Sequence, residues 1–287
     1  MILLVPGVIT IPIDPVLIRL GSFGVHWYGV AYVVAFAVGM RITRGFALTR
    51  GFTDKQVSDL YWWNIGIGLL GGRLYYVIQQ PNLADYLHHP IEIIAVWKGG
   101  MAFFGALMAC LVTSVVFAYR NRLSIWVILD AGALFATLPQ AIGRIGNIIN
   151  GDILGDPSSL PWATRYTNPN SFAPHLGVAY QPAGAYELLG SLVLFGLVLL
   201  VLSRHPPIGT AGIAYLIGYP VSQVLLFFLR TTEPVLVFGL KQAQLTALAM
   251  LIVLVPLLIV LRRRYPEAFR ARPAEDQSRL SPAAEAG

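Results

Sequence analysis

Ser124–Asp152 reads SIWVILDAGALFATLPQAIGRIGNIINGD. Up to Ile142 its only charge is Asp130, in a run that apart from Gln140 is otherwise apolar or small. A run of that length, near the about 20 residues that cross a bilayer, reads as a membrane span. Its end differs in kind. Arg144, Asn147 and Asn150 follow closely, and Asn150-Gly151 is a turn signal. Arg144 and Asn147 are three apart and so share a helix face. Polar side chains are expensive at membrane depth, and such a pair there marks a functional site. Gly151 lets the backbone leave the helix and approach a ligand closely.

The rest of the chain agrees with a membrane reading. Of 287 residues, 56% are hydrophobic and 12% charged, whereas about a quarter of a soluble domain is charged. Mean hydropathy is +0.67. The apolar residues come in long blocks, not in the short alternating segments of a β-barrel. The fold class is therefore an all-α polytopic membrane protein. Seven spans are expected, at Val25–Arg41, Leu60–Ile78, Gly99–Tyr119, Ser124–Ile142, Ala183–Ser203, Gly209–Leu229 and Leu245–Leu261. The sole cysteine, Cys110, rules out an intrachain disulfide and reads as a small packing residue. The N-terminal segment lacks a basic start, and Pro6, Pro12 and Pro15 break any helix there. It reads as a segment on the membrane surface, not as a cleaved signal peptide.

Loop charges set the orientation. Arg44, Arg50 and Lys55 follow span one, Arg120 and Arg122 follow span three, Arg204 follows span five, and Arg262-Arg263-Arg264 follow span seven. The other loops mix fewer basic residues with acids, as in Asp85, Glu92 and Lys98, or Arg230, Glu233 and Lys241. Positive charge gathers on the cytoplasmic side, so the N-terminus is expected outside and the C-terminus inside. The net charge of +6 reflects this asymmetry and gives no sign of nucleic-acid binding. Residues 1–265 form one membrane-embedded domain with an outer-face loop cap at about 150–182. Residues 266–287 read as a disordered cytoplasmic tail.

This orientation gathers the intramembrane polar residues into one layer near the outer face. His26 and Tyr28 open span one, Arg73 lies near the end of span two, and Arg144 and Asn147 end span four. Glu187 opens span five, Arg230 ends span six, and Gln242 and Gln244 open span seven. Arg73, Arg144 and Arg230 on separate helices can converge, and guanidinium forks suit a phosphate. At that depth the available anion is a phospholipid head group. Taken singly, each has a plainer reading. An arginine at a helix end is usually a snorkelling anchor, His26 and Trp27 fit an interfacial belt, and Asp130 fits a packing pair with a basic residue. The layer as a whole carries the argument. No HExxH, GxSxG, P-loop or Cys-His zinc pattern occurs, so no metal or cofactor is expected.

Five blocks occur in order: Val25-His-Trp-Tyr-Gly29, Gly71-Gly-Arg-Leu74, Trp97-Lys-Gly-Gly-Met-Ala-Phe103, Gly143-Arg-Ile-Gly-Asn-Ile-Ile-Asn-Gly-Asp152 and Gln181-Pro-Ala-Gly-Ala-Tyr-Glu187. With them the chain resembles the bacterial prolipoprotein diacylglyceryl transferases from about Pro12 to Arg262. The resemblance implies seven transmembrane helices in the bacterial cytoplasmic (inner) membrane and two partners, phosphatidylglycerol and a preprolipoprotein signal peptide with its lipobox cysteine. The implied reaction moves the diacylglyceryl group of the lipid onto that cysteine's thiol and releases glycerol phosphate. By motif, Tyr28, Arg144, Asn147 and Gly155 match positions linked to catalysis or lipid binding, Arg230 matches an arginine ending span six, and Arg73 and Glu187 match polar positions of their blocks. Arg144 and Arg230 are expected to bind the phosphate, Asn147 to bond the head group, and Tyr28 to orient a head-group oxygen or the thiol.

The chain also departs from the family pattern. Phe104 stands where many members carry a histidine, Asp152 where glutamate is common, Gln181 where histidine precedes the proline, and Phe227 where some members carry an acid. His26, in the same outer layer, is the remaining candidate to take the thiol proton. Other classes fit less well. A paralogue that binds anionic lipid without transfer would keep the arginines and lose the base. A retinal protein needs a lysine within span seven, and Leu245–Leu261 has none. A solute transporter predicts polar residues through the bilayer depth.

Overall fold

The structure, a computed structural model, describes residues 3–5, 8–21, 23–96, 99–230 and 235–264. Lys98, Glu233 and the tail at 266–287 lie outside the described residues. The chain is mostly helical, and six described helices are long and apolar enough to cross a membrane: Trp27–Leu48, Phe103–Asn121, Ile125–Asn150, Ala183–Ser203, Thr210–Leu229 and Gln242–Leu261. Val33, Val193, Leu225 and Ile252 on these helices are all more than 60% exposed. Apolar surface on that scale is a liability in water and the expected covering in hydrocarbon.

Two compact units divide the chain. One falls within Met1–Thr43 and Asp130–Ala271, and the described part of the other is Arg44–Leu129. In the second unit, helix α2 (Asp54–Ile78) packs along helix α5 (Phe103–Asn121). Thr53 starts α2 with a capping box: its hydroxyl accepts the Gln56 N–H while the Gln56 side chain accepts the Thr53 N–H. At 25 residues α2 is about 37 Å long. It covers the expected second span but carries Asp54, Lys55, Asp59, Asn64 and Arg73, and it is not among the six apolar helices. Small residues let the two helices touch. A Cβ on Gly71 would lie 2.3 Å from that of Ala109, and one on Gly105 would lie 2.3 Å from that of Tyr75. Cys110 sits in this seam, its Sγ 3.4 Å from the Asn64 carbonyl. Gly99 and Gly100 adopt φ of +77° and +70°, so α5 starts at Phe103, later than the expected Gly99. The short helices α3 (Leu83–His88) and α4 (Pro90–Ile93) bridge α2 to that turn.

The first unit holds most of α1 (Trp27–Leu48) and of α6 (Ile125–Asn150), with α7 (Ala183–Ser203), α8 (Thr210–Leu226) and α9 (Gln242–Arg264). Alpha-1 begins two residues later than expected, because Phe23–His26 is a strand, and it runs past Arg41 to Leu48. Alpha-6 continues beyond Ile142 through the whole GRIGNIIN stretch. Its last carbonyls have partners: Asn147 O accepts the Gly151 N–H at 2.9 Å, and Ile148 O accepts the Tyr166 hydroxyl at 2.7 Å. Beside this end, Gly146 brings α6 against α1, since a Cβ there would lie 2.8 Å from the Tyr28 Cα. At the opposite end of α6, the Asp130 carboxylate accepts the Gly209 and Gly212 N–H groups at 2.7 and 2.8 Å, capping the start of α8.

Three small sheets accompany the helices. Strands β1 (Leu3–Val5) and β2 (Val8–Ile11) join β5 (Thr164–Tyr166) and β6 (Ala179–Tyr180) in a four-stranded sheet. The proline-rich N-terminal segment thus pairs, parallel at Ile9 to Thr164, with the loop that follows α6. Ile11, Leu154, Tyr166 and Tyr180 form its buried core. Strands β3 (Val16–Leu20) and β4 (Phe23–His26) form a hairpin leading into α1, and β7 (Val235–Val237) with β8 (Leu240–Lys241) forms one leading into α9. A helix-only expectation misses these strands.

Candidate active site

In the first unit the GRIGNIINGD stretch, the start of α7 and the end of α8 come together. Glu187 lies in the second turn of α7 and is 2% exposed. Its Oε2 is 2.5 Å from Nη2 of Arg144, and its Oε1 is 3.5 Å from Nη1 of Arg230. Both arginine side chains are mostly buried, at 17% and 13% exposure. The Arg144 Nη1 donates to Asn147 Oδ1 at 3.2 Å, so the helix-face pair read from the sequence does interact. Asn147 then donates its Nδ2 to the Asp152 carboxylate, at 3.2 and 3.3 Å to the two oxygens. The chain Arg230–Glu187–Arg144–Asn147–Asp152 is thus one connected polar network.

Two guanidiniums face one carboxylate at its centre, and the Asp152 carboxylate closes the network at its far end, so the formal charges of the four ionisable side chains balance. The Nε of Arg144 is buried with no hydrogen-bond partner, a donor left for a ligand. Burial at the site raises the Asp152 carboxyl above its ordinary value, and the Asn147 amide opposes the rise. Asp152 keeps an exposed flank, where solvent screening limits that effect.

The other expected residues surround this network or stand apart from it. Tyr28 is on the first turn of α1, its hydroxyl 3.1 Å from that of Tyr32 and its Cα against Gly146. The Arg144 charge is within electrostatic reach of Tyr219, Tyr32 and Tyr28. His26 ends β4 and, with Tyr28, Asn150 and Phe172, lines a cleft of about 470 Å³. Gly155 has its own task. A Cβ there would lie 2.4 Å from the Leu229 carbonyl oxygen, so only glycine lets the 151–155 turn touch the backbone just before Arg230.

Arg73 belongs to the second unit. Its guanidinium is 3% exposed and donates to the carbonyls of Gly99 and Gly100, at 2.5 and 3.1 Å, and of Glu92, at 2.7 Å. It fixes the glycine turn that starts α5. Phe104 is buried in the same unit and packs edge-on to Phe103.

Sequence reasoning missed some participants. Tyr32 was one helical turn from Tyr28, an i,i+4 spacing that could have flagged it. Lys241, counted among the loop charges, is 7% exposed. No local sequence signal distinguishes it from a loop lysine, because its partners are carbonyls of an earlier helix. Tyr166 and Thr164 in β5 are also buried, and burial raises the Tyr166 phenol, keeping it a neutral donor to α6.

Comparison with known proteins fits this arrangement. Residues 15–260 match the prolipoprotein diacylglyceryl transferase family, a stretch running through both units and every residue of the polar network. A phosphatidylglycerol–prolipoprotein diacylglyceryl transferase of Polynucleobacter asymbioticus is 37% identical over 255 residues, covering 85% of this chain and 95% of the relative. Relatives of the same name from Bordetella avium and Rhodospirillum rubrum are 35% and 36% identical, covering 88% and 89% of this chain and 96% and 95% of their own. With the match spanning most of both partners, the chain belongs to the prolipoprotein diacylglyceryl transferase family.

Proposed function

We propose that the chain transfers the diacylglyceryl group of phosphatidylglycerol to the lipobox cysteine of a preprolipoprotein, the first step of lipoprotein maturation. The observation that carries this reading is the buried Arg144 guanidinium, paired with Glu187 beside the Arg230 guanidinium and with its Nε lacking a hydrogen-bond partner, a donor that a phosphodiester oxygen can take. In the reaction, the cysteine sulfur forms a bond to the glyceryl carbon and that carbon's bond to the phosphate oxygen breaks. The electron pair leaves with glycerol phosphate, and the thiol proton passes to a base. Arg144 and Arg230 stabilise charge gathering on the departing phosphate. Asn147, oriented by Asp152, donates to the head group. Tyr28 orients the thiol or a head-group oxygen from the edge of the cleft, and His26, on the same cleft, takes the proton. Gly155 shapes the lipid site by seating the backbone beside Arg230. Arg73 fixes the glycine turn that starts α5 through its three carbonyls.

The same reading places the chain in the bacterial cytoplasmic membrane, with α2 as a seventh span. The N-terminus, the sheets and residues 150–182 are outside, and the Arg262–Arg264 cluster is inside. The loop charges support this orientation. Both units form one transferase domain, as the extent of the family match supports.

The test is a transfer assay. Purified protein in detergent meets phosphatidylglycerol and a lipobox peptide, and mass spectrometry looks for a diacylglyceryl adduct. The expected adduct forms on the cysteine peptide and not on its serine counterpart. Arg144→Ala is expected to insert normally and to lose transfer. Phosphatidylglycerol binding without any adduct would favour a lipid-binding paralogue.

A further inference from the structure

Arg230 reaches Glu187 through its side chain, yet its backbone lies where α8 gives out. Alpha-8 ends in a 3-10 turn, Phe227–Leu229, and Arg230 itself is extended at φ −94°, ψ 95°. At this helix end Phe227 O accepts the Arg230 N–H at 3.3 Å. The ammonium of Lys241 adds to this: Nζ donates to the same Phe227 O at 2.7 Å and also to Arg230 O. The lysine is itself braced. Its N–H donates to Gln244 Oε1 at 2.9 Å, and Gln244 Nε2 donates to Val224 O, one turn earlier in α8, also at 2.9 Å. Lys241 and Gln244 are 7% and 0% exposed. Nearby, Gly155 lies directly against the Leu229 carbonyl. The backbone from Val224 to Arg230 is thus fixed by β8, α9 and the 151–155 turn together.

A positive charge suits the C-terminal end of a helix, but a buried ammonium still carries a large desolvation cost. A lysine in this place gains two carbonyl contacts on either side of the 3-10 turn, which no apolar residue could make. We propose that Lys241 is a positioning residue of the transferase, its buried ammonium setting the backbone from which Arg230 reaches Glu187 and the lipid phosphate. The inference rests on the transferase reading above for the identity of the ligand, while the brace itself stands on geometry.

The test is a mutant cycle on the full-length protein, with Lys241→Met, Lys241→Arg, Arg230→Lys and the Met/Lys double variant. Two readouts are used: transfer to a lipobox peptide, and binding of phosphatidylglycerol against phosphatidylcholine in mixed micelles. Displacing a catalytic group by about 1 Å can cost on the order of 100-fold. Lys241→Met is therefore expected to lower kcat/KM for phosphatidylglycerol by about 10- to 100-fold. The same change in the Arg230→Lys background should add little, and Lys241→Arg should restore most of the rate. Equal losses in both backgrounds, or a wild-type rate for Lys241→Met, would overturn the proposal. If the unaltered protein shows no transfer, the transferase reading fails on that arm. The binding arm then decides the brace: preference for phosphatidylglycerol must fall in Lys241→Met and not fall further in the double variant, and an unchanged preference rejects it. Should Lys241→Met not fold, Lys241→Gln, which keeps one donor, takes its place in both arms.

Discussion

The Arg144 guanidinium and the Glu187 carboxylate meet at 2.5 Å, with the carboxylate almost wholly buried. Glu187 comes from the start of α7 and Arg144 from the last turns of α6, and the second guanidinium, Arg230, approaches from the end of α8. One carboxylate therefore organises two cations drawn from separate helices. It holds them near each other while the Arg144 Nε still lacks a hydrogen-bond partner, so under the proposed transferase reading the donors need little rearrangement when a phosphate arrives.

Removing that carboxylate should expose the arrangement's cost. In Glu187→Ala two mostly buried guanidiniums lose their shared partner, and breaking a buried ion pair costs about 3–5 kcal/mol. A lower melting temperature in detergent is expected, together with loss of transfer. Added phosphatidylglycerol should then stabilise the variant more than it stabilises the unaltered protein, because the phosphate supplies the missing negative charge. Thermal shifts with phosphatidylglycerol and phosphatidylcholine check this. Equal shifts for both proteins would mean that the lipid phosphate does not reach the arginines.

Gly155→Ala tests the backbone side of the same site. The new Cβ would sit 2.4 Å from the Leu229 carbonyl oxygen, and a backbone atom cannot swing aside as a side chain can. Overpacking of this kind costs about 1–3 kcal/mol, and the displaced backbone leads directly to Arg230. A loss of about 100-fold in kcat/KM is expected, on the scale of a 1 Å misplacement, with a modest drop in melting temperature. Turnover at the unaltered rate would show that the Leu229 contact does not govern Arg230.

Much of this was legible in the sequence. Six of the seven expected spans follow from apolar length, and the Arg144–Asn147 contact follows from their spacing along a helix. The partner that joins Arg144 to Arg230 was visible only as one acid at the head of an apolar block, since helix periodicity says nothing about which helices adjoin. The strands were illegible for a physical reason. Val8–Ile11 has no hairpin partner in its own stretch beyond the short β1, and its parallel partner, Thr164–Tyr166, lies far along the chain. Lys241 misled in the opposite way. Loop charges are read as solvated, and only the unfinished end of α8, brought beside it by the fold, gives the ammonium acceptors out of water.

Cys110→Ala should be nearly neutral. The thiol lies in the α2–α5 seam, against Gly68 and the Asn64 carbonyl, and belongs to no part of the polar network. Losing one heavy atom there costs about 1 kcal/mol. Transfer within about twofold of the unaltered rate is expected, since each 1.4 kcal/mol changes a rate only tenfold and this site is not part of the chemistry. Abolished transfer with an unchanged melting temperature would give the thiol a direct part in the reaction.

Asp14 ties the N-terminal segment to the loop around Asn170 and gives that tie a pH dependence. Its Oδ1 accepts the Val16 N–H at 2.8 Å, and its Oδ2 accepts the Asn170 amide at 2.8 Å. The Val16 bond, more than the Asn170 bond, holds its carboxyl below the ordinary 3.8. A carboxylate whose folded value is depressed stabilises the fold above the unfolded value, and that contribution disappears as pH falls through the folded one. The 168–172 loop should therefore stay tied at neutral pH and loosen only below about pH 4, the ordinary aspartate range. Hydrogen exchange over residues 168–172, compared between pH 7 and pH 3 after correction for intrinsic rates, reads this directly. Asp14→Asn should show the looser loop already at pH 7 and little further change on acidification. An acid-induced opening of the same size in the variant would place the responsible group elsewhere.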